Sequence, residues 1–594
     1  MKKKPLIQRD FPSNRSFTRF LDRIKDQYEL EAKPKLSLQR RYYDTFDWRL
    51  YRNGYVFETD DLKPQARISQ HQPAADANSL MYRTCGIPVL QEQKPDAVKG
   101  RIPSDRFDVA SIMPGPSISP ESQRSLGVVA TAGDEKCGLV SRLRTFGMRG
   151  DQITAILRQE PDFAQNFDQS ELWKFLTQFL AMRRLLRQGE ARVSVEPFEV
   201  MDKGGKVLLR LELEKYQRTD RIGRYRTLLV NCRFNPLKGY YNICSHLLDL
   251  IDADIGRPDI NGDPLLVILS ADNKLPGSYT SKFNLNFNPE MTIGQVLAQT
   301  LMFHIDVMVK NLPGIRDDLD AEFLHDLRIA NRRSRTLVTQ IKRVLPPAKE
   351  KYYREIFSWL SNETSEHRDL DVFLLDIPKH LAMLPATMRD NLEPLRAALA
   401  ERRNKVHKRL VQVLDSEKFR GFSSASRAYL TAGLRDHFQT AIGSQPVLTT
   451  ANQVILRVYQ KMLKQGALAS RSGDRDALHA LRKTAKKLRY LLETFRSLYP
   501  QQDMENVIMH CRKLQNILGR IVDFRVQQNY LQGLADDAGN AAVFPPATVA
   551  CIRYLIDAYN ELEGEAYTKF AGRFEHFSEP GVREQFKLLF KVIG

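Results

Sequence analysis

The 594-residue chain is poor in the features that mark several functional classes. Its six cysteines, Cys85, Cys137, Cys232, Cys244, Cys511 and Cys551, form no CxxC pair. Zinc ribbons and dithiol redox motifs are thereby excluded, and scattered thiols suit a reducing compartment. No run of about 18 apolar residues occurs, so no segment is fit to span a membrane as a helix. The start, MKKKPLIQRDFPSN, is basic but lacks the apolar stretch of a signal peptide. These absences lead us to expect a cytoplasmic protein without a membrane partner. Acid is short as well: 71 Asp and Glu stand against 90 Lys and Arg, a net charge of +19. A field of that sign favours polyanions such as nucleic acid, acidic membrane surfaces or polyphosphate.

The length calls for two or more domains. The first 250 residues are strand-rich. YYDTFDWRLYRNGYVFE (42–58) is aromatic and β-prone, with a turn at Asn53-Gly54. GLVSRLRTFGM (138–148) and KVLLRLELEKY (206–216) alternate. In the second, Arg210, Glu212 and Glu214 share one strand face and Leu209, Leu211 and Leu213 the other. On this pattern alone the acids are the solvent side. Residues 86–125 read as a long loop and 161–190 as helical. A polar Pro- and Gly-containing stretch, 272–292, reads as a linker. From 293 onward helical periodicity dominates, with breaks at 345–350, 443–450 and 536–548.

The helical half repeats itself. LHDLRIANRRSRTL (324–337) returns as LHALRKTAKKLRYL (478–491). His325 and His479 stand 154 positions apart, as do Asp369 and Asp523 in RDLDV and VDFRV. Two anchors at one spacing imply a duplicated unit, about 293–445 and 446–594. Wound as helices, His325, Arg328, Arg332 and Arg335 fall within an arc of about 80°, with Arg333 on its flank. His479, Arg482, Lys486 and Arg489 take the same places, with Lys483 and Lys487 beside them. Leu327, Ala330, Leu337, Val338 and Ile341 form the opposite face, matched by Leu481, Leu488, Leu491, Leu492 and Phe495. Each helix thus has an apolar back and a basic rail. Like charges one turn apart cost a few tenths of a kcal/mol per pair. A polyanion, or acids elsewhere in the chain, must supply the opposite charge. Arg suits phosphate because its planar fork binds two oxygens at once. Asp317, Asp318 and Asp320 could pair with the first rail or cap its helix, and Asp369 and Asp523 read as structural. ERRNKVHKR (401–409) spreads its charges around a helix and reads as solvated surface.

These residues closely resemble the CHAD family, a histidine-containing α-helical domain that binds inorganic polyphosphate. The likeness rests on the paired His-x-x-Arg helices, RDLDV and LQNILGRIVDFRV, and covers about 300 residues. It implies two helical bundles around a basic groove, and phosphate contacts from His325, Arg328, Arg332, Arg333, Arg335, His479, Arg482, Lys483, Lys486, Lys487 and Arg489. QRRYYDTFDWRLYRNG, SRLRTFG and LLRLELEKY are similar to segments of the CYTH family, a triphosphate-tunnel barrel. That likeness implies phosphate contacts at Arg142 and Arg144, and a metal pair at Glu212 and Glu214. An active member of that family opens on Glu-x-Glu-x-Lys; this chain starts KKKPLIQRDFPS, with no Glu before Glu29, so a degenerate tunnel is expected.

The expectation is an α+β chain of two domains. An N-terminal antiparallel β-barrel over 1–271 is followed by a linker, 272–292, and an all-α duplicated bundle over 293–594. Its leading function is polyphosphate binding without a required cofactor, on polyphosphate granules in the cytoplasm. The alternative is a triphosphatase using Mg or Mn. Nucleic acid is disfavoured because no RNP motif, zinc finger or recognition helix is present and the rails lack interleaved aromatics, Tyr490 apart.

Overall fold

The computed structural model describes residues 7–61, 139–145, 152–157, 160–163, 171–219, 222–255, 263–541 and 544–591. The expected loop at 86–125 lies outside them. The chain divides into two compact units, Met1–Tyr279 and Thr280–Gly594.

Alternating residues in the first unit build an antiparallel sheet. Its elements run β1 (Ile7–Phe11), α1 (Asn14–Lys25), β2 (Glu29–Ala32), β3 (Leu36–Asp44), α2 (Arg49–Arg52), β4 (Tyr55–Asp61), β5 (Leu139–Thr145), β6 (Gln152–Leu157), α3 (Glu171–Leu180), β7 (Leu186–Met201), β8 (Val207–Thr219), β9 (Tyr225–Pro236), α4 (Tyr241–Ile255) and α5 (Pro264–Ala271). The strand order is β1-β9-β8-β7-β3-β4-β5-β6, and β2 also pairs with β7. Among the described residues β1 and β6 do not pair. The sheet is therefore open, and this corrects the expected closed barrel. The expected helix at 161–190 shrinks to α3, because the arginine- and glutamine-bearing stretch from Leu186 pairs along β3 as the start of β7.

Gly54 makes the turn before β4 with φ of +80°, a conformation costly for any residue with a Cβ. Leu209, Leu211 and Leu213 face a helix-covered core with Phe17, Phe20 and Leu247. Tyr43, Phe57 and Trp173 form a second core, and α5 brings Leu265, Ile268 and Leu269 against Tyr42, Val193 and Tyr216.

The second unit is helical: α6 (Ile293–Arg316), α7 (Ala321–Gln340), α8 (Pro347–Glu363), α9 (Ser365–Leu375), α10 (Ile377–Met383), α11 (Glu393–Leu414), α12 (Glu417–Asp436), α13 (Val447–Ser472), α14 (Arg475–Thr494), α15 (Gln501–Ala541), α16 (Pro546–Phe577) and α17 (Pro580–Leu589). The 154-residue offset reappears in the helix starts of α6 and α13, α7 and α14, and α8 and α15. The two copies also bond each other reciprocally. Ile293 N–H donates to Gln445 C=O at 2.9 Å, and Val447 N–H donates to Met291 C=O at 3.0 Å. Each donor and each acceptor is the 154-offset mate of the other, the signature of an approximate two-fold. Among the described residues no helix is long and apolar enough to cross a membrane.

The copies differ where α8 and α9 break at Thr364, while α15 runs on as one helix of 41 residues. Later packing is tight. A Cβ on Gly466 of α13 would meet Phe574 of α16 at 1.8 Å. Gly466→Ala is therefore expected to lower stability by about 1–3 kcal/mol through overpacking, despite the better helix propensity of Ala. Thermal melting of the two proteins checks this.

Candidate functional site: a cationic face shared by two repeats

Local sequence fixes the rail helices first. Asp320 caps α7 by accepting from Glu322 N–H at 2.9 Å, and Asp474 caps α14 from Asp476 and Ala477. Such caps contribute about 1 kcal/mol each. The apolar backs are fully buried, from Leu327, Leu337 and Ile341 on one helix to Leu481, Leu488 and Phe495 on the other. Burial of the backs leaves the polar faces no choice of direction.

The two polar faces meet. Arg333 of α7 donates to Glu493 of α14 at 2.7 Å and lies 5.5 Å from the Tyr490 ring centroid. Arg489 approaches the same ring at 5.5 Å and Glu493 at 3.5 Å. Glu493 thus clasps the helices together. Beyond it the cations face each other. Burial, then Arg482 and then Arg332 from the opposite repeat, push the Lys486 ammonium down to about 8. Lys487 is lowered by burial, Lys461, Arg335 and Lys483. Arg332 and Lys486 are 154-offset mates, so the rails converge about the approximate axis.

Acids of the chain neutralise only part of this face. Arg333 and Arg489 share Glu493, and Arg482 binds the exposed Asp523 at 2.6 Å. Arg328, Arg332, Arg335, Lys483, Lys486 and Lys487 have no carboxylate at ion-pair distance among the described residues. Arg328 instead donates to Ser361 C=O at 3.0 Å and Thr364 Oγ1 at 2.6 Å, at the break between α8 and α9. Burial, with Arg332 beside it, lowers the Arg328 guanidinium to about 10. His325 is half-buried at the start of the second turn of α7. His479 is exposed, and its imidazolium is disfavoured by partial burial, Lys483 and Arg482.

Three neighbouring cations escaped the sequence reading. Arg368 on α9 donates to Ala321 C=O at 3.1 Å, and its charge is disfavoured by burial and by Arg332. Arg525 on α15 acts on His479, and Lys461 on α13 acts on Lys487. The first two lie inside the RDLDV and VDFRV anchors, which was the available signal. Asp523 is a brace for Arg482 rather than a cap. Asp318 does not serve the rail: it binds Arg403 at 2.5 and 2.6 Å. Arg403 and His407 turn inward, which corrects the reading of 401–409 as wholly solvated.

The sheet of the first unit holds the other candidate residues. Arg40, Asp60, Glu214, Tyr216 and Arg233 are all buried. Arg40 clasps Asp60 at 2.8 and 3.0 Å and donates to the Tyr216 hydroxyl at 2.7 Å. Arg233 donates to Glu214 at 2.7 Å and lies 3.8 Å from Glu212. Tyr216 also donates to Glu214 at 2.8 Å. Glu214 is therefore not on the solvent side, contrary to the alternation-only reading. By register Arg142 sits opposite Glu58, and Arg144 opposite Val56. On β1, Asp10 accepts from Asn231 at 2.5 Å. A Mg or Mn ion needs converging oxygens, but guanidiniums lie against Glu214 from two sides. Glu214, so held, is not free to serve as a ligand for such an ion.

The helical fold and the convergent basic face define a duplicated helical module with one shared cationic face. Residues 299–532 match the family model of the CHAD domain, and the chain carries a CHAD domain over that stretch. The family is associated with polyphosphate binding. Among solved structures the chain is similar to the CHAD domain from the plant Ricinus communis, at 21% identity and a TM-score of 0.39, covering 52% of this chain and 96% of that one. It is also similar to PptA from Streptomyces chartreusis, at 16% identity and a TM-score of 0.37, covering 48% and 99%. No curated protein matches the chain.

An unliganded cationic face works against the fold. Lys486 has a lower proton affinity folded than unfolded, so its charge opposes folding below about pH 8. That penalty fades as pH rises from about 8 toward the range of free lysine, about 10.4. Lys486→Met is expected to raise stability at pH 7 by about 1–3 kcal/mol, a gain that shrinks toward pH 10. Melting curves across that pH range check both the sign and the window.

Proposed function

We propose that the helical unit binds inorganic polyphosphate along the face shared by α7 and α14. The observation that carries this reading is the set of six rail cations with no carboxylate at ion-pair distance among the described residues, converging from two repeats on one face. Phosphate oxygens would supply the missing charge. Arg328, Arg332, Arg335, Arg482 and Arg489 offer guanidinium forks, and Lys483, Lys486 and Lys487 offer point charges. His479 would take up a proton as a polyanion offsets its cationic neighbours. Residence on polyphosphate granules follows from the same chemistry. Tyr490, the one aromatic within the rail segments, is buried beneath Arg333 and Arg489, which leaves no platform for stacking bases. That favours polyphosphate over nucleic acid.

Binding should weaken steeply with salt, as counterion release requires of a linear polyanion. It should also weaken as pH rises through about 8, where Lys486 loses its charge. Changing Arg328, Arg332, Arg482 and Arg489 together to Ala should reduce affinity more than about tenfold by the loss of charge-assisted contacts. A gel-shift series with polyphosphate of several lengths reads all three effects. Unchanged affinity in the fourfold variant removes the rails from the account.

The first unit we read as an open sheet whose buried cations are answered by its own acids, with Arg40 turned to Asp60 and Arg233 to Glu214. Phosphate release from tripolyphosphate in Mg²⁺ or Mn²⁺ should not depend on Glu212 and Glu214. Release that is present in the natural chain and abolished in a Glu212→Gln, Glu214→Gln variant would establish the triphosphatase reading instead.

A further inference from the structure

Three elements of the first repeat bring together groups that the polyphosphate reading does not use. Asp318 follows α6, His367 lies in α9 and His407 in α11. One ligand atom from each lies within 4.8 Å of the others. His367 is almost wholly buried, His407 is half-buried and Asp318 is exposed.

The polar contacts around the imidazoles form a chain with an acceptor at each end. His367 Nδ1 lies 3.2 Å from the Asp371 carboxylate. Its Nε2 lies 3.2 Å from His407 Nδ1. His407 Nε2 lies 3.4 Å from the Arg316 carbonyl oxygen. Two neutral imidazoles bring only two protons to these three contacts, and the close His367 Nδ1–Asp371 Oδ2 contact is not a hydrogen bond, leaving both buried atoms without one among the described residues. Arg403 binds both Asp318 and Asp371, so the two carboxylates share one guanidinium at ion-pair distance.

If the outer gaps keep their protons, both free lone pairs point into the middle one. Two nitrogens on one tetrahedral ion, each at about 2.0–2.1 Å, stand about 3.3–3.4 Å apart. The middle gap is close to that. The outer contacts then become the carboxylate and carbonyl supports that fix the tautomer of a metal-binding histidine. The helical fold does not itself require the cluster. At the 154-residue offset, Asp318, His367 and Asp371 are replaced by Ser472, Ile521 and Arg525.

We propose that Asp318, His367 Nε2 and His407 Nδ1 bind a divalent ion of the zinc class. Asp371 and the Arg316 carbonyl orient the imidazoles, and Arg403 holds Asp318. Two imidazoles and a carboxylate suit zinc and its late first-row neighbours, with a fourth position left to solvent.

The test uses the full chain, freed of metal by chelation and of bound polyanion by high salt. Zn²⁺ is titrated by calorimetry, and Co²⁺ by its visible absorption. The expected result is one site per chain with the intense bands of low-coordinate cobalt. His407→Ala should weaken it more than a hundredfold and Asp318→Asn more than tenfold, while His479→Ala leaves it unchanged. Polyphosphate affinity should survive His407→Ala, which separates this site from the rails. Should His407→Ala fail to fold, as judged by circular dichroism, the exposed Asp318→Asn decides. Absence of binding at micromolar Zn²⁺, equal binding in both variants, or a persistent imidazolium in ¹⁵N spectra with Zn²⁺ present would overturn the proposal.

Discussion

Burial of two apolar helix backs forces like charges together in this protein. Leu327, Leu337, Leu481, Leu488 and their neighbours are removed from water, each a gain of about 1.5–3 kcal/mol. Against this stands repulsion of a few tenths of a kcal/mol per adjacent pair, larger where burial strips solvent. The apolar term wins, so the cations stay aligned without a ligand. Among the described residues Glu493 is the acid that clasps both helices, through Arg333 and Arg489. Much of the remaining positive charge has no carboxylate at ion-pair distance among them.

The two units handle buried charge in opposite ways. In the sheet, Arg40 and Arg233 are answered by Asp60, Glu214 and Glu212. Removing one partner of such a network typically costs 3–5 kcal/mol because the other is left stranded. The sheet therefore spends its charges on itself. The rails leave theirs partly unanswered, and the difference between the units lies in pairing rather than in residue type.

The rails were legible in the sequence because their period, their duplication and their apolar complement all agree. His325, Arg332, Lys486 and the buried backs occupy local positions on single helices, where spacing determines side. What spacing cannot give is a meeting between distant segments. Arg368 and Arg525 belong to neighbouring helices and reach the face only through packing. Alternation put Glu212 and Glu214 on one side of β8 correctly, but not which side was covered, because Arg233 and Arg40 come from other strands. The strands within 42–58, 138–148 and 206–216 were legible, while the rest of the sheet and its open edge depend on pairing that no local pattern encodes. Arg403 and His407 looked solvated for the same reason: their partners lie on α9 and just past α6.

The reciprocal bonds joining Met291 and Ile293 to Gln445 and Val447 have a further meaning. A seam built from equivalent positions is self-complementary. Half of this helical unit, made alone, would carry the edge needed to pair with a second copy of itself, placing two identical rails where the present chain sets unequal ones. Within one polypeptide the halves need not be alike, and His367 in one copy with Ile521 at the matching place in the other is the kind of divergence that exact symmetry forbids.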